Sequence, residues 1–161
     1  MKIIKQRNIS IVILCFSIFS LLFAYYVELI LGHQPCNLCI LERVPYVAAI
    51  IIIITSFILQ KFEKSAFFVL GVIFLLAAIL STYHFGIEQG FFEESPVCKN
   101  RSNLDIFDKE KLLIELQKNS VSCKNVTFSI FGFSLATINT FVSFLISFIT
   151  MRAFYNYEKK Q

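Results

Sequence analysis

Four runs of roughly 20 apolar residues dominate this chain, and each is long enough to cross the roughly 30 Å hydrocarbon core of a bilayer as a helix. They cover residues 9–31, 44–59, 66–85 and 128–151. The second is short, but its core from Val47 to Ile54 contains nothing except Val, Ala and Ile. Such β-branched residues would read as strand in water. In lipid an isolated strand leaves its backbone polar groups unsatisfied, so helix wins. Composition agrees. Hydrophobic residues make up 57% of the 161 and charged residues 16%, with 19 Phe, against about 45–50% and 25% in soluble domains. A soluble fold of this size still exposes about a third of its surface and could not hide so much apolar material. Disorder, collagen and a small disulfide-stapled scaffold fail on the same numbers. The expected fold is all-α: a four-helix transmembrane bundle forming one membrane domain over residues 1–161.

Basic residues orient the spans. Lys2, Lys5 and Arg7 precede the first, Lys61 and Lys64 join the second to the third, and Arg152, Lys159 and Lys160 follow the fourth. The other Lys and Arg are spread thinly over the two remaining loops, 32–43 and 86–127. Both termini are therefore expected on the cytoplasmic side, with those two loops facing outward. The basic start and apolar run of residues 1–31 resemble a cleaved signal, but the run is too long and no A-x-A-like site follows it. These topogenic lysines also account for the net charge of +4, so no nucleic-acid partner is expected. All six Tyr fall near a proposed span end, where an amphipathic ring is favoured. Within the second outer loop, residues 104–118 place Ile106, Leu112, Leu113 and Leu116 on one side of a helix and charged residues on the other. Asp105 and Asp108 suit its N-terminal end. The expectation is a short amphipathic helix lying on the membrane surface, with docking to a partner as the alternative.

Five cysteines occur. Cys15 sits mid-span among apolar neighbours and reads as a packing residue. The other four lie in the outward loops: Cys36 and Cys39 as a C-x-x-C, Cys98 and Cys123 on either side of the amphipathic segment. Paired cysteines on the oxidising side of a membrane point to disulfides, and C-x-x-C spacing commonly lowers a thiol pKa and makes the pair redox-active. A Cys98–Cys123 bridge would close about 25 residues and stabilise by roughly 3–4 kcal/mol, which a purely structural role would also explain. Four cysteines can also hold one zinc ion, although the wide spacing of Cys98 and Cys123 is poor for it, and no metal is assigned. Loop length favours electron flow. The twelve residues of 32–43 keep the C-x-x-C close to the bilayer, within reach of a lipid-soluble acceptor. The longer second loop can present its cysteines to a soluble partner. A relay follows: soluble dithiol, loop disulfide, C-x-x-C, membrane quinone. The competing reading is a non-catalytic membrane protein whose loops are held by disulfides or zinc.

Gln34–Tyr46, QPCNLCILERVPY, resembles the P-C-x-L-C-x-x-x-R motif of the disulfide bond formation protein B (DsbB) family. Tyr83–Phe92, YHFGIEQGFF, followed by Cys98, is similar to the end of that family's third span, and Phe128–Asn139 to the start of its fourth. The resemblance implies a quinone-dependent oxidase of the bacterial inner membrane that reoxidises a soluble, periplasmic, thioredoxin-fold partner of the DsbA kind. It implies that Cys98 forms the mixed disulfide with that partner, that Cys123 is released and meets Cys36, and that Cys39 becomes the thiolate facing the quinone. Arg43, one helical turn beyond Cys39, would then stabilise that thiolate and a reduced quinone oxygen, or else anchor the interface. His84 would donate to the quinone or exchange a proton, with an interfacial, water-satisfied histidine as the alternative. His33, Glu88 and Gln89 are weaker candidates, and Glu42 beside Arg43 reads as a solvated charge. The chain has no Trp, which family members often carry near the fourth span. The motifs do not separate ubiquinone from menaquinone, nor a general partner from a dedicated one. A vitamin K epoxide reductase-like enzyme would place its C-x-x-C at a later span.

Overall fold

The computed structural model describes residues 2–59, 62–93, 98, 123–124, 129–130 and 132–158. Its elements, in chain order, are α1 (Lys2–Leu29), α2 (Asn37–Leu41), α3 (Val44–Leu59), α4 (Glu63–Glu88), a two-stranded antiparallel hairpin of β1 (Ser129–Ile130) and β2 (Phe133–Ser134), and α5 (Leu135–Glu158). Four stretches are helical, long and apolar enough to cross a membrane: Arg7–Leu29, Asn37–Leu59, Glu63–Glu88 and Leu135–Asn156. The fold is the all-α four-helix membrane bundle expected from the sequence. The amphipathic segment 104–118 lies outside the described residues.

Polarity is arranged inside out. Val12, Phe19, Leu22, Ile58, Leu76 and Phe141 lie on the outer surface, each more than half exposed, while Ser17, Ser81, Ser143 and Thr150 are fully buried. Lipid is as apolar as Leu, so large side chains gain nothing by turning inward. Close approach of small residues and internal hydrogen bonds drive association instead. The pairing of α4 with α5 follows this rule. Gly71, Ala77, Ala78 and Ser81 of α4 are buried, as are Ser143, Ser147, Thr150 and Ala153 of α5. Ser147 Oγ donates to the Gly71 carbonyl at 2.8 Å. A Cβ at Gly71 would come within 2.9 Å of the Met151 side chain. Deeper in the bundle, Tyr46, Ala49 and Ile53 of α3 pack with Ile13 of α1, Leu70 and Phe74 of α4, and Ile146 of α5.

Three local breaks place the functional end. Gly32, at φ 72°, takes the left-handed conformation that ends α1, and the His33 N–H returns to the Val27 carbonyl at 3.3 Å. Pro45 has no N–H to offer the Leu41 carbonyl, so the second span is interrupted between α2 and α3. Tyr46 N–H bonds the Arg43 carbonyl at 3.1 Å across the break. The fourth helix begins at Leu135, seven residues after the apolar run starts at Phe128. Gly132, at φ 84°, allows the preceding hairpin, and Ser134 Oγ then caps α5 by accepting the Thr137 N–H at 3.2 Å.

Candidate redox site

Cys36 is the N-cap of α2. Its backbone is extended, at φ −72° and ψ 166°, and its sulfur accepts the Cys39 N–H at 3.2 Å. One turn of helix then sets the two C-x-x-C sulfurs 2.8 Å apart. Both are thiols, whereas Cys98 and Cys123 form a disulfide. Cys36, Cys98 and Cys123 are all buried in one cluster with Leu38 and Ile87, against which Cys39, Leu80 and Tyr83 pack. The four loop cysteines, 59 residues apart between Cys39 and Cys98, thus come together at one end of the bundle.

His84, on the last turn of α4 but one, links the thiols to a buried polar chain. Its Nε2 lies 3.5 Å from Cys36 Sγ and its Nδ1 2.8 Å from Glu42 Oε1. Asn139 of α5 donates through Nδ2 to Glu42 Oε2 at 2.8 Å and to Ser81 Oγ at 2.7 Å. The Asn139 carbonyl oxygen accepts from Tyr46 at 2.5 Å and from Ser143 at 3.3 Å. Three spans therefore converge on one asparagine. The Cys36 thiol is pushed down to about 4, first by the hydrogen bond from Cys39. Burial opposes that and His84 adds to it. Cys36 is the thiolate of the pair near neutral pH.

Several sequence readings change here. Glu42 is not a solvated charge: it is 7% exposed and bonded on both oxygens, because the break before Pro45 turns it into the bundle. Tyr46 is not an interfacial ring but is buried against Phe74 in an edge-on contact at 5.6 Å. Cys15 faces outward on α1 rather than packing inside. Arg43 is bound to α1, with Nη1 on Glu28 Oε2 at 2.6 Å and the guanidinium 5.0 Å from the Tyr25 ring centroid. The Glu88 side chain is 7% exposed, 3.8 Å from His84 Nε2, while Gln89 is exposed. Asn139 and Ser81 were missed altogether. The signal for them was available, since a polar side chain inside a span is a functional candidate by default.

A cavity of about 350 Å³ opens beside the thiols. Phe16, Phe23, Val27 and Val142 supply apolar wall, and Cys39 and Arg43 supply polar lining. Cys36, Cys123, His33, His84 and Glu88 also border it. Its lining is mostly apolar with a few polar side chains, the make-up of a site for a small apolar ligand.

No solved structure matches the chain. It is 29% identical over 163 residues to "Uncharacterized protein RP370" of Rickettsia prowazekii (strain Madrid E), an alignment covering 97% of this chain and 92% of that one. The family model for disulfide bond formation protein DsbB matches residues 6–153. With the match spanning all four membrane helices, the chain belongs to the DsbB family.

Proposed function

We propose that this protein is a membrane thiol oxidase that reoxidises a soluble, periplasmic, thioredoxin-fold dithiol protein of the DsbA kind and passes the two electrons to a membrane quinone. Family membership carries the coarser part, a disulfide-forming oxidoreductase in a multi-pass membrane protein. The observation that supports the finer part is the shared burial of a disulfide, a dithiol and an apolar cavity at one end of the bundle.

Exchange runs by thiolate attack on disulfide sulfur. A partner thiolate attacks Cys98, forming a mixed disulfide and releasing Cys123 as a thiolate. Cys123 attacks Cys36 of the oxidised C-x-x-C, forming Cys36–Cys123 and releasing Cys39. The partner's second thiolate then displaces Cys98, which attacks Cys123, restores Cys98–Cys123 and releases Cys36. The partner leaves oxidised and the two electrons rest on Cys36 and Cys39. The protein as seen has a Cys98–Cys123 disulfide beside a Cys36/Cys39 dithiol, the pairing expected at that stage. A quinone, ubiquinone or menaquinone, supplies an acceptor for two electrons and two protons when bound. Cys39, Arg43 and His84 line the cavity and would hold the quinone ring, and the phenylalanines of α1 would hold its tail. His84 Nε2 faces Cys36 and steadies its thiolate, while Glu42 holds the ring at Nδ1. The outward loops face the periplasm of a bacterial inner membrane, with both termini cytoplasmic.

Quinone absorbance tests the assignment, with a reduced thioredoxin-fold dithiol as donor. Cys39→Ser should abolish quinone reduction, and Cys98→Ser should stop partner oxidation while leaving the C-x-x-C reactive to a small dithiol. Full turnover by either variant would contradict the relay.

A further inference from the structure

We propose that in its dithiol form the Cys36–Cys39 pair, together with His84, is a binding site for a thiophilic divalent cation of the zinc class, with Glu88 as fourth donor. The inference stands on donor geometry and does not require quinone reduction. Cys36, Cys39 and His84 present two sulfurs and a ring nitrogen that all lie within 4.8 Å of one another. A tetrahedral zinc centre has Zn–S bonds of about 2.3 Å and a Zn–N bond of about 2.0–2.1 Å, which puts sulfur and nitrogen about 3.5 Å apart. The distance from Cys36 Sγ to His84 Nε2 is 3.5 Å. Two ligand sulfurs should stand about 3.8 Å apart, so the present 2.8 Å must widen. A turn of the Cys39 side chain, the less buried of the two, supplies that movement.

Two further observations point to a ligand. Glu88 Oε1 lies 3.8 Å from His84 Nε2, on a side chain more than nine-tenths buried, and its other oxygen has no hydrogen-bond partner among the described residues. A buried carboxylate oxygen left unpaired is costly unless a proton or a cation meets it. Behind the imidazole, Nδ1 meets Glu42 Oε1 at 2.8 Å, and Asn139 holds that carboxylate from the far side. Such a carboxylate–histidine pair fixes the tautomer that leaves Nε2 free for a metal and orients the ring toward it. Binding displaces the Cys39 thiol proton and the proton on His84 Nε2, and gives two Zn–S bonds and one Zn–N bond. A disulfide cannot make those bonds, so the site exists in only one redox state. Metal and electron acceptor then compete for the same dithiol, and a zinc-loaded protein is held reduced.

Cobalt(II) is the probe, since tetrahedral thiolate coordination gives it intense visible and near-ultraviolet bands. The measurement uses quinone-free, detergent-solubilised full-length protein, with Cys98 and Cys123 both replaced by Ala so that only one thiol pair responds. One equivalent should bind the dithiol form with tetrahedral bands, and zinc should displace it. Protein carrying the Cys36–Cys39 disulfide should show none. His84→Gln should weaken zinc by more than tenfold, measured against a chromophoric chelator, and Glu42→Gln by about 10–100-fold, the usual effect of losing the carboxylate behind a ligating histidine. Absent bands, equal binding by the disulfide form, or affinity unmoved by both His84→Gln and Glu42→Gln would each overturn the proposal. If cobalt binds as expected while quinone reduction is absent, the metal site stands and the oxidase reading falls.

Discussion

Asn139→Ala removes a side chain that ties the second, third and fourth spans together through hydrogen bonds. The amide makes four: to Glu42 and Ser81 through its nitrogen, and from Tyr46 and Ser143 through its oxygen. Two scales bound the loss. Polar groups orphaned in a soluble core cost about 1–3 kcal/mol each, and Glu42 Oε2 and the Tyr46 hydroxyl would be orphaned, giving about 2–6 kcal/mol. Side-chain hydrogen bonds between membrane helices average about 0.6 kcal/mol in double-mutant cycles, and four of those come to about 2.4 kcal/mol. The membrane scale is preferable, because Ser81 and Ser143 can each turn back to a carbonyl of their own helix and water can enter from the cavity. The expected cost is therefore about 2–3 kcal/mol. It is read as the shift in the unfolding midpoint of the dithiol form in mixed micelles of mild detergent and dodecyl sulfate, with Thr140→Ala as control. Thr140 bonds the Ala136 carbonyl of its own helix, and no other partner among the described residues. A loss below about 0.5 kcal/mol, or one equal to the control, would refute the network as a source of stability.

Further outcomes follow from the same contacts. Cys36 is ionised between about pH 4 and its ordinary value of 9.0, so near neutrality oxidation of the pair releases one proton instead of two. Its reduction potential should fall by about 30 mV per pH unit, not about 59 mV. Thiol trapping in redox buffers from pH 6 to 8 reads the slope, and two-proton behaviour would contradict an ionised Cys36. Arg43→Ala removes a cation from the cavity lining and the α1 tie through Glu28, so it should raise the quinone concentration needed for half-maximal turnover by about tenfold or more. Both disulfides should still form, and an unchanged quinone dependence would leave Arg43 as an anchor between α1 and the second span. Gly71→Ala should cost less than about 1 kcal/mol because the flexible Met151 tip can swing aside, whereas Gly71→Leu should separate α4 from α5 and cost about 1–3 kcal/mol. The micelle unfolding assay distinguishes them, and equal costs would refute the close packing.

The spans were legible because hydrocarbon thickness sets a length that only long apolar runs satisfy, and 44–59, 66–85 and the rest stand out on that test alone. The last one started late. Phe128–Ser134 is as apolar as a helix start, and only Gly132 hints that the chain turns back on itself first. At the site, Cys36 and Cys39 were readable from spacing and loop length. Bringing Cys98 and Cys123 against them is a tertiary event that spacing does not encode. Glu42 was misread for a physical reason. Next to Arg43 it looks like half of an exposed ion pair, yet Arg43 pairs with Glu28 on another helix and leaves Glu42 to His84 and Asn139. Tyr46 shows the same limit, since a ring one turn inside a span can face lipid headgroups or the bundle, and Phe74 and Asn139 decide which.

The central claim is that the two cysteine pairs are stages of one electron path ending in the membrane. Acid-quenched thiol trapping with a mass tag on each free cysteine tests it directly, on membranes given a reduced thioredoxin-fold dithiol with quinone present and with quinone removed. The account predicts that Cys36, Cys39, Cys98 and Cys123 accumulate as thiols only when quinone is absent and return to disulfides when it is restored. Cysteines whose redox state ignores both the dithiol and the quinone would contradict it.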